Sequence, residues 1–456
     1  MIPPKPEPRA DKVSLWKYLR LFRKDILSAQ PARLYRAWMA EFRTPFFSSF
    51  LINQPDLVKT VLNMRPQDFP KSGRVGEGLR PLLGNSVFLT NGKVWERQRR
   101  IIDPAFEGGR IKDTFPAMQA AANAAVTRLE GQVGAPVEIE EVTSHAAADV
   151  IFRTLFSVPI EDEVAGKVFT EFRRYQRTQP ILNLAAFLPI PRWMPRLHRL
   201  TTKKTAAAIR ALITEMTARR QMEISVGLAP DDLATKIMTT PDPVTGKRFT
   251  TGEMVDQVAI FFLAGHETSA SALAWTLYLI AANPDIQGRI AAEVSGIDPL
   301  KMGFPDISKL KFTRDVFREA LRLYPPVPMM VRETTQPETF RDRTLPIGAQ
   351  VVISPWHLQR HTRLWDDPDA FRPERWQTPE GKSSAREAFV PFSSGRRVCT
   401  GASFAMAEAV ILLAALVSRF RFSTVPGKVP VPEAHLTVRA RDGIWLQVAD
   451  RESGQD

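Results

Sequence analysis

The chain has 456 residues, 44% of them hydrophobic, enough for a sizeable core, and its single cysteine excludes any disulfide within the chain. A net charge of +13 raises nucleic-acid binding, but the basic residues are spread through amphipathic segments and form no long tail, which argues against it. No apolar run reaches the roughly 18 residues of a membrane span, and the start, Met1-Ile-Pro-Pro-Lys-Pro-Glu-Pro-Arg9, lacks the apolar stretch of a signal peptide.

Residues 1–13 read as an extended, loosely ordered arm, because proline favours an open, unbonded backbone. Leu15 to Phe42 has a helical pattern, Phe46–Asn53 that of a strand and Pro55–Leu62 that of a short helix. Lys71 to Gly92 is rich in glycine and proline and reads as loop. In the helix that follows, Trp95 and Arg99 stand four apart and share one face. There an indole N–H and a guanidinium can both donate to one carboxylate. Phe115 to Ser225 reads as helix after helix, broken at Leu184–Pro195. Prolines 189, 191 and 195 forbid a continuous helix there, and Phe187, Leu188, Ile190, Trp193 and Met194 offer an apolar patch.

Thr250-Thr-Gly-Glu253 is a capping box, and the helical pattern after it runs to about Ala282, where Asn283-Pro284 stops it. At 1.5 Å per residue such a helix spans roughly 48 Å, the width of a whole domain. Its middle reads Ala264-Gly-His-Glu-Thr268-Ser. A glycine and two hydroxyl residues weaken the helical ladder there, which suits either close helix packing or an opened functional turn. Nothing around His266 supplies the spacing of a metal site. Glu319 and Arg322 lie three apart on a later helix and can pair. Val351–Ser354 and Thr437–Gln447 read as strands of a small sheet.

Cys399 lies in Phe392-Ser-Ser-Gly-Arg-Arg-Val-Cys-Thr-Gly401, just before a strong helix pattern. A lone thiol is an inert core residue, a nucleophile or a metal ligand. A nucleophile needs a nearby base, and none is visible. Arg396, Arg397 and the following helix N-terminus favour thiolate. A thiolate in a tight loop ahead of a buried helix suits an axial ligand to haem iron.

Phe392, Gly395, Arg397, Cys399 and Gly401 match, residue by residue, the haem-binding loop of the cytochrome P-450 family. The chain resembles that family from about Phe42 to Ala449. The resemblance implies a mainly α fold, a triangular helical prism with a small β-rich side, as a single domain over 1–456. It implies haem b as cofactor, with Cys399 as the axial iron ligand. Trp95, Arg99, Arg332 and Arg397 would hold the propionates. Ala264 and Thr268 would face the open side of the iron, Gly265 and Thr268 would permit a kink that holds water, and Glu267 and Thr268 would relay protons. Glu319, Arg322 and Arg375 would form a structural network, and Leu184–Pro195 a lid. Many relatives have His where Gln359 stands, which puts one haem-edge contact in doubt.

The activity implied is monooxygenation of an apolar small molecule, hydroxylation or epoxidation, with electrons from a separate ferredoxin or flavodoxin-type donor. Lys93, Arg97, Arg100 and Arg396 would be free to steer that donor. A monomer in the cytoplasm, with no membrane span and no fused reductase, completes the expectation. The competing readings are peroxygenase or isomerase chemistry on the same haem, and a non-catalytic haem sensor or electron carrier. The intact acid–threonine pair and the lid segment argue against both.

Overall fold

The helix Thr251–Ala281 runs through the middle of the molecule, with 24 of its 31 residues buried. This computed structural model describes residues 1–43, 48–107, 109–178, 200–299 and 301–451. The expected capping box forms: Thr250 and Glu253 each satisfy the other's backbone N–H. Pro284 then opens a separate helix, Pro284–Ser295. The helix Ile139–Phe156 lies closest along the central helix, with Phe152 and Phe262 at 4.5 Å between ring centroids. Helices Arg110–Glu130, Lys311–Leu323 and Ala402–Arg419 complete the surrounding core.

The strands are few and peripheral. A four-stranded sheet has the order Met39–Arg43, Ser48–Ile52, Gln350–Ile353, Met330–Glu333. Its two middle strands are parallel and its outer pairs antiparallel. The chain is therefore mainly α with a β-rich side, as expected.

Several local expectations fail for identifiable reasons. The N-terminal helix covers only Leu15–Lys24, because Asp25 turns extended and Pro31 follows, and Met39–Arg43 is a strand. Within the expected loop 71–92, Ser72 caps a short helix, Gly73–Glu77, and Arg80–Leu83 forms another. The run 437–447 is two strands, Val438–Ala440 and Trp445–Asp450, in different sheets, separated by a turn at Gly443, whose φ of +75° favours glycine. The N-terminal arm is extended but not loose. Phe371 N–H donates to Met1 O at 3.1 Å, the Tyr324 hydroxyl to Pro4 O at 2.6 Å, and Arg9 N–H to Gln30 O at 3.1 Å. The apolar segment Leu184–Pro195, with Phe187, Leu188, Ile190, Trp193 and Met194, lies outside the described residues.

One helix, Ala402–Arg419, is long and apolar enough by length and composition to cross a membrane, contrary to the run-length reading. It is 67% buried and follows directly on the cysteine loop, as a core helix does.

Candidate active site

The cysteine loop is shaped by its backbone. Cys399 N–H donates to Phe392 O at 2.9 Å, closing the loop on itself. Gly395 adopts φ +68°, and a Cβ there would meet Leu62 O at 2.3 Å and the Asn63 Cα at 3.0 Å. Only glycine fits both constraints. Gly401 is different: beyond its two chain neighbours, nothing lies within 4 Å of the Cβ it lacks. The chain's own packing does not require a glycine there.

Cys399 has accessible surface yet sits among densely packed atoms, as a residue lining an internal cleft does. Burial pushes its thiol above the ordinary value, while the Gly401 backbone N–H and the charge of Arg99 pull it down. The expectation that Arg396 and Arg397 activate the sulfur is therefore not met by the polypeptide alone: burial dominates, and Arg99 is the arginine that acts on it.

Around Trp95 the structure gathers four cations. Lys71 Nζ lies 5.8 Å from the indole, and the guanidinium carbons of Arg99 and Arg397 lie 5.6 and 5.3 Å from it. Arg332 stands on the outer strand Met330–Glu333, where residue 332 forms a bridge to Lys71. Burial, then Arg397, Arg332 and Arg99, push the Lys71 ammonium down to about 6, and burial with Arg397 holds Arg332 at about 10. Lys71, Arg332 and Arg397 make no ion pair among the described residues, and the buried Arg397 Nε has no hydrogen-bond partner. Such crowding of like charge is costly unless an anion joins it. A cofactor carrying carboxylates beside a thiolate ligand fits this donor set.

Arg99 is partly committed within the chain, through Asp103 at 2.7 Å and Val398 O at 2.9 Å. Lys71 was missed by sequence reasoning, because tertiary contacts bring it to Trp95. Its backbone N–H donates to the Asn91 side chain and its C=O accepts from it, each at 3.0 Å, at the start of the helix that carries Trp95, and it bridges to residue 332.

Across the cleft, the central helix exposes Ala264 in a stretch that is otherwise mostly buried, with Gly265 and Thr268 part-exposed beside it. Phe106 ties the two walls together, its ring 5.8 Å from Phe261 of the central helix and 6.5 Å from Phe404 of the cysteine helix. Ser269 Oγ donates to Glu408 of the same cysteine helix at 2.9 Å.

The Ala264–Ser269 motif divides by direction. Thr268 Oγ1 donates back to Ala264 O. Glu267 turns the other way: its buried carboxylate accepts from Thr437 Oγ1 at 2.7 Å and lies 3.2 Å from Arg439. No hydrogen bond joins Glu267 to Thr268 among the described residues. Gly265 faces a neighbouring helix. The helix is continuous through it, and a Cβ there would meet Ile151 Cδ1 at 2.5 Å, so this glycine serves close packing of two helices. His266 is buried against Ser144 Oγ at 2.7 Å, and burial pushes it down to about 3.

Support comes from a buried network. Glu319 accepts from Arg322 and Arg375, each at 2.8 Å, with Glu319 and Arg322 fully buried. Gln359 is fully buried and bonded within the chain. Its amide donates to Leu321 O and Arg322 O, and its carbonyl accepts Val390 N–H, two residues before Phe392.

Of the four cations expected to be free, Arg97 pairs with Glu253 at 2.6 Å and Arg100 with the fully buried Asp242 at 2.6 Å. Lys93 and Arg396 are exposed, Arg396 lying 3.9 Å from Glu96.

The family model for cytochrome P450 matches residues 39–446. Cyclooctat-9-en-7-ol 5-monooxygenase of Streptomyces melanosporofaciens is 33% identical over 395 residues, covering 85% of this chain and 83% of that protein. Cytokinin hydroxylase of Arabidopsis thaliana is 29% identical over 403 residues, covering 87% of this chain and 77% of that protein. The crystal structure of the cytochrome P450DA heme domain superposes with a TM-score of 0.84 at 23% identity, over 99% of this chain and 98% of the other, and shows the shared fold. The chain therefore belongs to the cytochrome P450 family, as a haem-thiolate monooxygenase with haem b as its cofactor.

Proposed function

We propose that this enzyme inserts one atom of O2 into a C–H or C=C bond of a largely apolar small molecule, using electrons from a separate ferredoxin or flavodoxin-type donor. The relative named for 5-monooxygenation of cyclooctat-9-en-7-ol, an unsaturated alcohol, supports an apolar, hydrocarbon-rich substrate. The observation that carries the site assignment is the anion-free cluster of Lys71, Arg332 and Arg397 around Trp95, beside Cys399.

When bound, the haem supplies the iron at which oxygen is activated. Cys399 Sγ would hold the iron, from a loop fixed by the Phe392–Cys399 backbone hydrogen bond and the Gly395 turn. Trp95, Arg99, Arg332 and Arg397, with Lys71 as a fifth donor, would hold the propionates. Ala264 leaves room on the opposite wall, where a larger side chain would fill the cleft. The Thr268 hydroxyl can exchange its Ala264 O acceptor for another oxygen. Arg439, whose side chain is 41% exposed, links the Glu267 carboxylate to solvent.

The test has two parts. The reduced protein under carbon monoxide should show the red-shifted Soret band of thiolate ligation, and Cys399→Ser should abolish it while the chain stays folded. Turnover should then depend on a ferredoxin and its reductase. Product formed equally well with hydrogen peroxide alone would favour peroxygenase chemistry instead.

A further inference from the structure

The helix Leu15–Lys24 is the one described helix of ten or more residues with apolar side chains but no buried residue. Its sequence, Leu-Trp-Lys-Tyr-Leu-Arg-Leu-Phe-Arg-Lys, contains no acid. One side is fixed to the body. Tyr18 packs on Phe22 at 5.5 Å and on Phe42 at 5.2 Å, and the Arg9 guanidinium covers both Tyr18 and Phe42. The other side faces outward. Trp16 is 84% exposed, and Arg20 and Arg23, four and seven residues on, lie along the same face. Lys12, Lys17 and Lys24 are also exposed.

None of these five cations takes part in an ion pair among the described residues. The nearby acids are turned elsewhere. Asp11 lies 3.9 Å from Arg33. Asp25 is buried, accepting Leu27 N–H, Ser28 N–H and Ala434 N–H. The face is thus purely cationic, with a nearly fully exposed indole at its centre.

We propose that this face docks reversibly on an anionic lipid surface. A tryptophan flanked by Lys and Arg is matched to the headgroup layer, where the ring is half apolar and half wet and the cations meet lipid phosphates. A ten-residue helix with one protruding indole is too small to insert, so attachment is peripheral and depends on charge. The stacking of Tyr18 on Phe42, with Arg9 over both rings, keeps the body bound to the helix when it docks. This inference stands apart from the reaction, since no residue of the helix belongs to the cleft.

The experiment is vesicle flotation of the full-length holoprotein. Wild type should float with vesicles of phosphatidylcholine and phosphatidylglycerol, remain in solution with phosphatidylcholine alone, and be released by high salt. Arg20→Glu with Arg23→Glu changes the face by four charges and should lower partitioning about tenfold or more, at roughly 1 kcal/mol per basic residue. Trp16→Ala should lower it several-fold. The carbon monoxide spectrum of each variant should match wild type, since the helix lies outside the haem site. The proposal is overturned if wild type fails to float with anionic vesicles, if it binds neutral vesicles equally, or if the charge-reversed protein floats as well as wild type. Retention on a polyanion such as heparin without vesicle binding would also overturn it, pointing to a different partner.

Discussion

Replacing Gly395 by alanine should dismantle the cysteine loop, whereas the same change at Gly401 should leave the polypeptide intact. At Gly395 two costs combine. The φ of +68° costs an alanine about 1 kcal/mol. The new Cβ would stand 2.3 Å from Leu62 O, a backbone atom that cannot rotate away, so the loop must shift by about an ångström to reach van der Waals distance. Overpacking of that kind costs about 1–3 kcal/mol. The total, about 2–4 kcal/mol, corresponds to roughly a 30- to 1000-fold change in the balance between loop conformers. The conformer that presents Cys399 becomes the minor one. At Gly401, φ is −88° and nothing beyond its two chain neighbours lies within 4 Å of the new Cβ, so the change in polypeptide stability should stay within about 0.5 kcal/mol. The assay pairs circular-dichroism melting of the haem-free protein with the reduced carbon monoxide spectrum of the loaded one. Gly395→Ala should lose most of the red-shifted Soret band. If Gly395→Ala keeps both the full band and the wild-type melting temperature, the backbone argument is refuted.

Three further outcomes follow from the same contacts. Glu319→Ala strands Arg322 and Arg375 in the core and should cost about 3–5 kcal/mol, read as a lowered unfolding midpoint; an unchanged midpoint would contradict a structural role for the network. Thr268→Ala should bind haem normally but form less product per electron consumed, and equal coupling in mutant and wild type would leave Thr268 as a packing residue. Burial pushes the Glu408 carboxyl up to about 8 from an ordinary 4.5, so the folded state holds a proton that the unfolded state releases. Its contribution to stability therefore falls as pH rises from about 4.5 to about 8 and levels off above that. Glu408→Gln should flatten the decline between pH 6 and 8, and an unaltered slope would assign it to other groups.

How much was legible in the sequence depended on whether the signal was local. The capping box at Thr250–Glu253 and the stop at Pro284 bounded the central helix to within a residue, because both act on neighbouring backbone. The Cys399 loop was legible in part for the same reason: the positive φ of Gly395 is a demand of the turn itself, whereas its close approach to Leu62 is not visible in the sequence. Residues brought together across the chain were not legible. Lys71 looked like part of an unstructured segment, but hydrogen bonds to the Asn91 side chain and a bridge to residue 332 set it against Trp95. Gly265 read as a kink because sequence does not show Ile151 lying against it. The helix 15–42 was overextended because aromatic and basic residues suit an amphipathic helix and an edge strand equally, and pairing with Ser48–Ile52 settles the matter at Met39–Arg43.

Charge was the least legible property of all. Lys93 to Arg100 carries four positive residues and one negative, which suggested a docking patch for an electron donor. The structure spends most of that charge internally: Arg97 on Glu253, Arg99 on Asp103 and Arg100 on Asp242. Asp242 is fully buried, its carboxyl held well below the usual range chiefly by Arg100, and it also accepts Thr245 N–H and Oγ1. Reversing Arg100 would therefore unpick the turn at 242–247, and a slower reduction would report damage to the fold. The residues still able to steer a donor are Lys93, which is exposed, and Arg396, whose contact with Glu96 at 3.9 Å is loose. Complementary charge mainly raises the encounter rate. Lys93→Glu combined with Arg396→Glu should slow first-electron transfer from an acidic ferredoxin at low salt, and the difference from wild type should shrink as salt is added. Substrate binding and the carbon monoxide spectrum should be unchanged. If first-electron transfer is indifferent to both the reversal and the salt, the donor docks on another face.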